Sequence, residues 1–306
     1  MAQSEWGFLI VVYLFLGGLG AGTLVLSAIA TFAGRQQRYS QIARAGALVA
    51  PIPVMVGTGL LVFDLGRPFF FWKLFTAFAP ESPMWIGTWL LTAFTLVSLA
   101  FANLHLPDAY RLWRPADAAQ WRYRLAGFGL PIGIAVGIYT GVLLGAVPAR
   151  PFWNTPMVAQ LFLFSALSTA AALLMIVAPG IGEASVASAA EDRTLLLSAD
   201  VVLILVELLI ITPYIVHGQL STESARASLA LILGGSFTWP FWLGVVTLGL
   251  LVPLAIEVWH LVPTLMGRPQ ARAHRRMDLA VAALVLCGGF LLRWVFVYAG
   301  QRSTFG

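Results

Sequence analysis

The sequence predicts an all-α integral membrane protein with eight transmembrane helices, and three observations predict it. Of 306 residues, 59% are hydrophobic and only 10% charged, with a mean hydropathy of +0.87. Soluble domains carry about 25% charged residues, so this chain lacks the charged shell that water requires. Apolar runs of the length needed to cross hydrocarbon, about 20 residues, recur eight times. None of them alternates in and out as a barrel strand does, so each is read as a helix.

The runs fall at 6–33, 45–63, 84–106, 125–147, 154–179, 195–217, 239–263 and 279–300. Met1–Glu5 lacks the basic start of a cleaved signal and the run after it is too long for one, so the first run is read as a span. The stretch 227–236, "ASLALILGGS", is too short to span and is read as an interfacial piece. A single cysteine, Cys287, excludes a disulfide framework, a C-x-x-C iron–sulfur or zinc site and a C-x-x-C-H haem attachment. Iron–sulfur chemistry, where needed, belongs to a partner. The net charge of +5, from 17 arginines and one lysine, reports topology and anionic lipid rather than nucleic acid.

Orientation follows from the connections. Those after runs one, three, five and seven hold 12 arginines, whereas the other side with both termini holds Arg67, Lys73, Arg150, Arg226 and Arg302. The positive-inside rule puts the first group in the cytoplasm and both termini outside. Tryptophans fit this frame as interface anchors. Trp6, Trp72, Trp85, Trp153, Trp239 and Trp242 fall at outer ends, with Trp113, Trp121 and Trp259 near the inner side. "PMWIG" (83–87) and "PFWLG" (240–244) open runs three and seven, the offset expected of two tandem four-helix bundles, approximately 1–147 and 148–306.

Against this apolar background the polar residues stand out. In "LVFDLGRPFFFWKLF" (61–75), Asp64 and Arg67 lie one turn apart where Gly66 and Pro68 end the second helix. They can form an ion pair that fixes the turn, with the phenylalanines and Trp72 at the interface. In the first run Gly18 and Gly22 form a G-x-x-x-G spacing that admits a neighbouring helix or a flat ligand. Tyr13 lies about 10 Å deep and Tyr139 about 12 Å deep at 1.5 Å per residue, with Arg293 at a comparable depth on the last run. A buried tyrosine hydroxyl can donate to a ligand carbonyl. Asp200 and Glu207, seven apart, share a helix face; with Glu257, Asp278 and Arg293 they form either interhelical ion pairs, such as Glu207 with Arg293, or a proton route. His105, His217 and His260 sit at helix ends, and only His105 and His260 share a side, which does not make the paired imidazoles of a haem site.

Six stretches occur together and in order: "YLFLGGLGAG", "FDLGRPFFFWKLF", "SPMWIGTW", "IYTGVLLG", "FLFSAL" and "GGFLLRWVFVYAGQ". As a set they resemble the NrfD family, the quinone-reactive membrane subunit of polysulfide-reductase-type complexes. The resemblance covers essentially the whole chain. It implies eight helices in two bundles and no haem. It also implies menaquinone or ubiquinone reacting near the outer face, an extracytoplasmic ferredoxin-like iron–sulfur partner and often a molybdopterin catalytic subunit, in a bacterial or archaeal cytoplasmic membrane. On this reading Tyr139, Asp64 and Arg67 carry the quinone chemistry, with Tyr13, Gly18, Gly22 and Trp72 as further contacts. Asp200, Glu207, Glu257 and Arg293 handle protons. The rival function is a proton- or ion-coupled secondary transporter, which buried carboxylates and an internal repeat also suit; no run shows the paired midplane interruptions such carriers use.

Lys73 is the single lysine side chain. A membrane-impermeant amine reagent is expected to modify it from the extracytoplasmic side of sealed cells, whereas modification only in inverted vesicles would reverse the orientation.

Overall fold

A computed structural model describes residues 7–34, 39–64, 68–76, 78–181, 186–266 and 275–303. Among these residues there is no strand, and eight helices are long and apolar enough to cross a membrane. They run Phe8–Ala33, Ser40–Phe63, Pro83–His105, Ala118–Gly145, Pro156–Gly180, Ala189–Leu220, Pro240–Pro263 and Arg275–Arg302, here the first to eighth spans. An even number of crossings returns the two ends to the same face.

Local chemistry sets the ends. Proline opens the third, fifth and seventh spans at a position where its missing N–H costs nothing. Asp117 accepts from the Gln120 N–H at 2.8 Å to cap the fourth span, and Thr155 caps the fifth. The second span is two helices, Ser40–Val49 and Pro51–Asp64, because Pro51 and Pro53 withdraw two donors in succession. The seventh is wound with i→i+5 bonds over Pro240–Leu251 before tightening at Val252. The stretch read as interfacial lies largely within a short helix, Glu223–Leu233, whose Leu229 and Ile232 pack into the core.

Spans one to four touch in a closed ring, as do spans five to eight. The rings join through the first span, which packs against spans two, four, five and eight, and through a contact between spans four and five. Small residues permit this. A Cβ on Gly20 would come within 2.6 Å of the Ala50 carbonyl oxygen, and one on Gly22 within 2.3 Å of the Ala166 carbonyl oxygen. With no hydrophobic drive between helices in lipid, such close backbone approach supplies the dispersion attraction that holds them.

The connection between spans four and five is pinned to the eighth span. Trp153 is buried, and its indole N–H donates to the Phe296 carbonyl at 2.7 Å. This corrects its reading as an interface anchor: the ring has a protein seat. Trp239 and Trp259 are largely exposed, as interfacial rings are, and Trp6 lies outside the described residues. Tyr214 donates to the Phe152 carbonyl at 2.9 Å, and Arg150 Nη1 donates to the Ser303 carbonyl at 2.8 Å.

A Cβ on Gly300 would lie 1.8 Å from Trp153 Nε1, while nothing lies within 4 Å of one on Gly59. Gly300→Ala is expected to cost about 1–3 kcal/mol through overpacking, read as a lower melting temperature in detergent. Gly59→Ala should be neutral or stabilising by up to about 1 kcal/mol.

Candidate functional site

At the end reached by residues 61–64, spans two, three and four stand beside the segment 68–76. Between them lies a cavity of about 280 Å³. Its wall is apolar, built from Leu61, Val62, Phe71, Leu74, Phe75, Leu91 and Leu143, with Tyr139 and a row of threonines as its polar members. Thr88, Thr92 and Thr95 donate back to the carbonyls four residues earlier, at 2.7–2.8 Å. Thr58 differs: its hydroxyl is buried in this wall with no hydrogen-bond partner among the described residues.

Tyr139 reaches the cavity because the third span has a glycine opposite. A Cβ on Gly87 would stand 1.9 Å from the Tyr139 Oη, so no larger residue leaves room for the phenol. Phe75 stacks edge-on against Trp89 at 5.7 Å, which braces the covering segment. Leu96 and Met84, also in the wall, are 65% and 46% exposed. The cavity therefore opens sideways, toward where acyl chains lie. Its size and lining suit a flat apolar ring bearing hydrogen-bond acceptors, with a tail left in lipid.

Of the other expected contacts, Tyr13, Trp72 and Asp64 lie around this cavity and Gly18 and Gly22 lie away from it. Tyr13 is fully buried between the first and second spans, within electrostatic reach of Tyr139, and its hydroxyl has no partner among the described residues. Trp72 is half exposed and shares Lys73 with Phe70, the ammonium lying 6.0 and 4.8 Å from the two ring centres. Asp64 is the last residue of its helix, one turn beyond the cavity-lining Leu61. Arg67, and so its pairing with Asp64, lies outside the described residues. Gly18 and Gly22 face the fifth and eighth spans, where a Cβ on Gly18 would meet Arg293 Nη2 at 2.9 Å and Ala166 Cβ at 3.2 Å.

Across the first span from the cavity runs a series of buried polar groups. Arg293 is fully buried. Its Nη1 donates to the Gly289 carbonyl at 2.7 Å and to Ser165 Oγ at 3.1 Å, and its Nε to the Leu14 carbonyl at 3.3 Å. The guanidinium also lies over the Phe15 and Phe162 rings, at 5.6 and 5.3 Å. Glu207 is within electrostatic reach of Arg293, but its Oε1 has no partner among the described residues. Instead it borders a void of about 10 Å³ shared with Ser165, Ser168 and Gly289, about the size of one water.

Ser168 carries the series onward, donating to Asp200 Oδ1 at 2.6 Å. Asp200 and Glu257 are both buried, and their carboxyls lie within hydrogen-bond reach of each other, a contact that needs a shared proton because two carboxylates can only accept. Beyond Glu257, Arg193 grips Asp278 with two bonds of 2.8 and 2.7 Å near the surface. Sequence reasoning finds the charged members and misses Ser165, Ser168 and Thr58. Ser165 lies in "FLFSAL", and its spacing of three from Ser168 is the available sign of a shared polar face.

His105 and His260 each hydrogen-bond through Nδ1 to the carbonyl four residues earlier, at 2.9 and 2.7 Å. Among the described residues no group of three or more His, Cys, Asp or Glu side chains could hold a metal ion.

Comparison with known proteins covers nearly the whole of this sequence. The family model described as "Polysulphide reductase, NrfD" matches residues 1–304. The sequence is 31% identical to Protein NrfD of Escherichia coli (strain K12), with 98% of this protein and 96% of the relative covered. It is 32% identical to one of the polysulfide reductase chains of Wolinella succinogenes, with 97% and 94% covered. A selenate reductase subunit of Mesobacillus selenatarsenatis is 23% identical, over 97% of this protein and 74% of its own length. With a family match across nearly every residue and relatives of equal extent, the chain belongs to the NrfD family.

Proposed function

We propose that this protein is the membrane subunit of a reductase complex and passes electrons between a lipid-soluble quinone and an iron–sulfur partner. The relatives named as parts of a polysulfide reductase and a selenate reductase support the subunit role. The observation that carries the quinone assignment is the Tyr139 phenol, seated against Gly87 in the wall of an apolar cavity that opens toward lipid. A quinone supplies two-electron redox chemistry, and its interconversion with the quinol moves two protons with the two electrons. Tyr139 and Thr58 would donate to the ring oxygens, while Phe71 and Phe75 cover the ring and exclude water. Asp64, Arg67 and Trp72 would order the rim above it, and Tyr13 would back the Tyr139 phenol.

The partner would dock on the face formed by residues 64–84 and 147–155, extracytoplasmic by the arginine count. It would be a ferredoxin-like iron–sulfur subunit, joined in turn to a molybdopterin catalytic subunit. The membrane protein supplies pocket, proton donors and docking surface, and the redox chemistry belongs to quinone and partner. Protons would travel along Asp278, Glu257, Asp200, Ser168, Glu207 and Ser165 toward Arg293, whose Nε bonds the carbonyl of Leu14, the residue after Tyr13. The three buried carboxyls of this route, Glu257, Asp200 and Glu207, can with one guanidinium hold and release protons while staying close to neutral.

In the assembled complex, Tyr139→Phe is expected to slow quinone-coupled turnover about 100-fold, the scale of one lost proton donor, with subunit stoichiometry unchanged. Turnover within about twofold of wild type would remove Tyr139 from the chemistry. Gly87→Ala should push the phenol into the cavity and raise the KM for a short-chain quinone more than it lowers kcat. Glu207→Gln and Asp200→Asn are each expected to slow proton uptake in proteoliposomes while leaving binding of a quinone-analogue inhibitor unchanged; unaltered proton uptake in both would leave the cluster a packing device.

A further inference from the structure

At the opposite end of the first ring, the ends of spans one and three and the beginnings of spans two and four enclose a second cavity, of about 550 Å³. Its character is the reverse of the first. Arg44, Arg111 and Arg122 all line it, with Arg122 in electrostatic reach of both others and His105 in reach of all three. Among the described residues Asp108 is the one carboxylate in the lining, and it is paired with Arg111. Arg122 is aimed by donating Nε and Nη2 to the Leu104 carbonyl at 3.0 and 2.7 Å, and Arg111 by donating Nε to the Leu106 carbonyl at 2.8 Å. Arg44 is unlike them: its Nε is buried and has no hydrogen-bond partner among the described residues.

Three guanidiniums held together against their mutual repulsion, one with a buried donor unmatched, form a site that needs an anion rich in acceptor oxygens. Ser40 and Gln41, at the start of the second-span helix, add polar lining on the side where a helix's first-turn N–H groups have no intrahelical acceptor. The rim distinguishes a membrane anion from a dissolved one. Beside the cavity-lining Thr31, Phe32 is 45% exposed and lies 6.3 Å from the ring of Tyr123, itself 47% exposed. Trp113 and Trp121 pack edge to face at 5.0 Å at the same end of the bundle, a level where amphipathic rings meet headgroups. We propose that this cavity binds the phosphodiester headgroup of an anionic membrane lipid, with its acyl chains lying along Phe32 and Tyr123. The site is separate from the quinone cavity and stands whether or not that reading holds.

The test is native mass spectrometry of the complex reconstituted in nanodiscs of phosphatidylcholine, with or without phosphatidylglycerol. Wild type is expected to keep one phosphatidylglycerol and no phosphatidylcholine at this site. Arg44→Gln should retain about fivefold less, the scale of one basic group at an anionic surface. Arg114→Gln, which removes a charge on the same face outside the cavity, should match wild type. Arg44→Lys should retain the lipid, which separates lost charge from a disturbed fold. Equal retention of both lipids, or equal retention by Arg44→Gln and wild type, would overturn the proposal. Titration with inorganic phosphate is the second arm: thermal stabilisation equal to that given by phosphatidylglycerol would overturn the lipid assignment in favour of a soluble phosphate.

Discussion

An arginine side chain keeps its charge under almost all conditions, so one buried inside a membrane bundle must have every donor answered where it lies. Arg293 meets that demand with carbonyls from three spans, a serine hydroxyl and two aromatic faces. The bonds reach Leu14 on the first span, Phe162 and Ser165 on the fifth and Gly289 on its own eighth span. They therefore cross the junction between the two rings. The constraint also dictates sequence nearby, because a Cβ on Gly18 would stand 2.9 Å from Arg293 Nη2, while Gly289 must stay small for Thr169, whose Cγ2 a Cβ there would meet at 2.3 Å.

The first span is consequently a shared wall. One of its faces backs the cavity region through Tyr13, and another receives Arg293 at Leu14. Groups that titrate lie on the Arg293 side, where serines and a water-sized void link the carboxyls. The cavity side holds no carboxyl among the described lining residues; its wall is apolar, with hydroxyl groups from Tyr139 and four threonines as its polar members. Keeping the two apart makes chemical sense. A ring that must arrive from lipid needs an apolar entrance, whereas a row of carboxyls needs shielding from lipid. The short backbone path from Tyr13 to Leu14 is where the two environments meet.

The eight spans are legible in the sequence because hydrocarbon thickness imposes a long apolar run on each, a demand that no local context overrides. The charged members of the polar series are legible for the same reason, since each is a visible exception. Their partners are not. Ser165 and Ser168 look like ordinary small residues of a packed helix, and Leu14 meets Arg293 from 279 positions away. Gly87 reads as part of a repeated "PMWIG" pattern, yet its role follows from a phenol on another span. Trp153 reads as an interfacial ring from its place at a helix end. Its burial depends on Gly300 and the Phe296 carbonyl, far along the sequence. The break at Pro51 is visible as a proline inside an apolar run, and the run's length masks it.

Photoaffinity labelling of the purified complex with an azidoquinone, mapped by peptide mass spectrometry, is the decisive experiment for the proposed quinone site. Adducts are expected on the cavity wall, within 58–62, 71–75, 84–96 and 139–143, suppressed by excess unlabelled quinone. Suppressible labelling confined instead to the Arg293 surroundings, at 162–169 and 289–293, would contradict it.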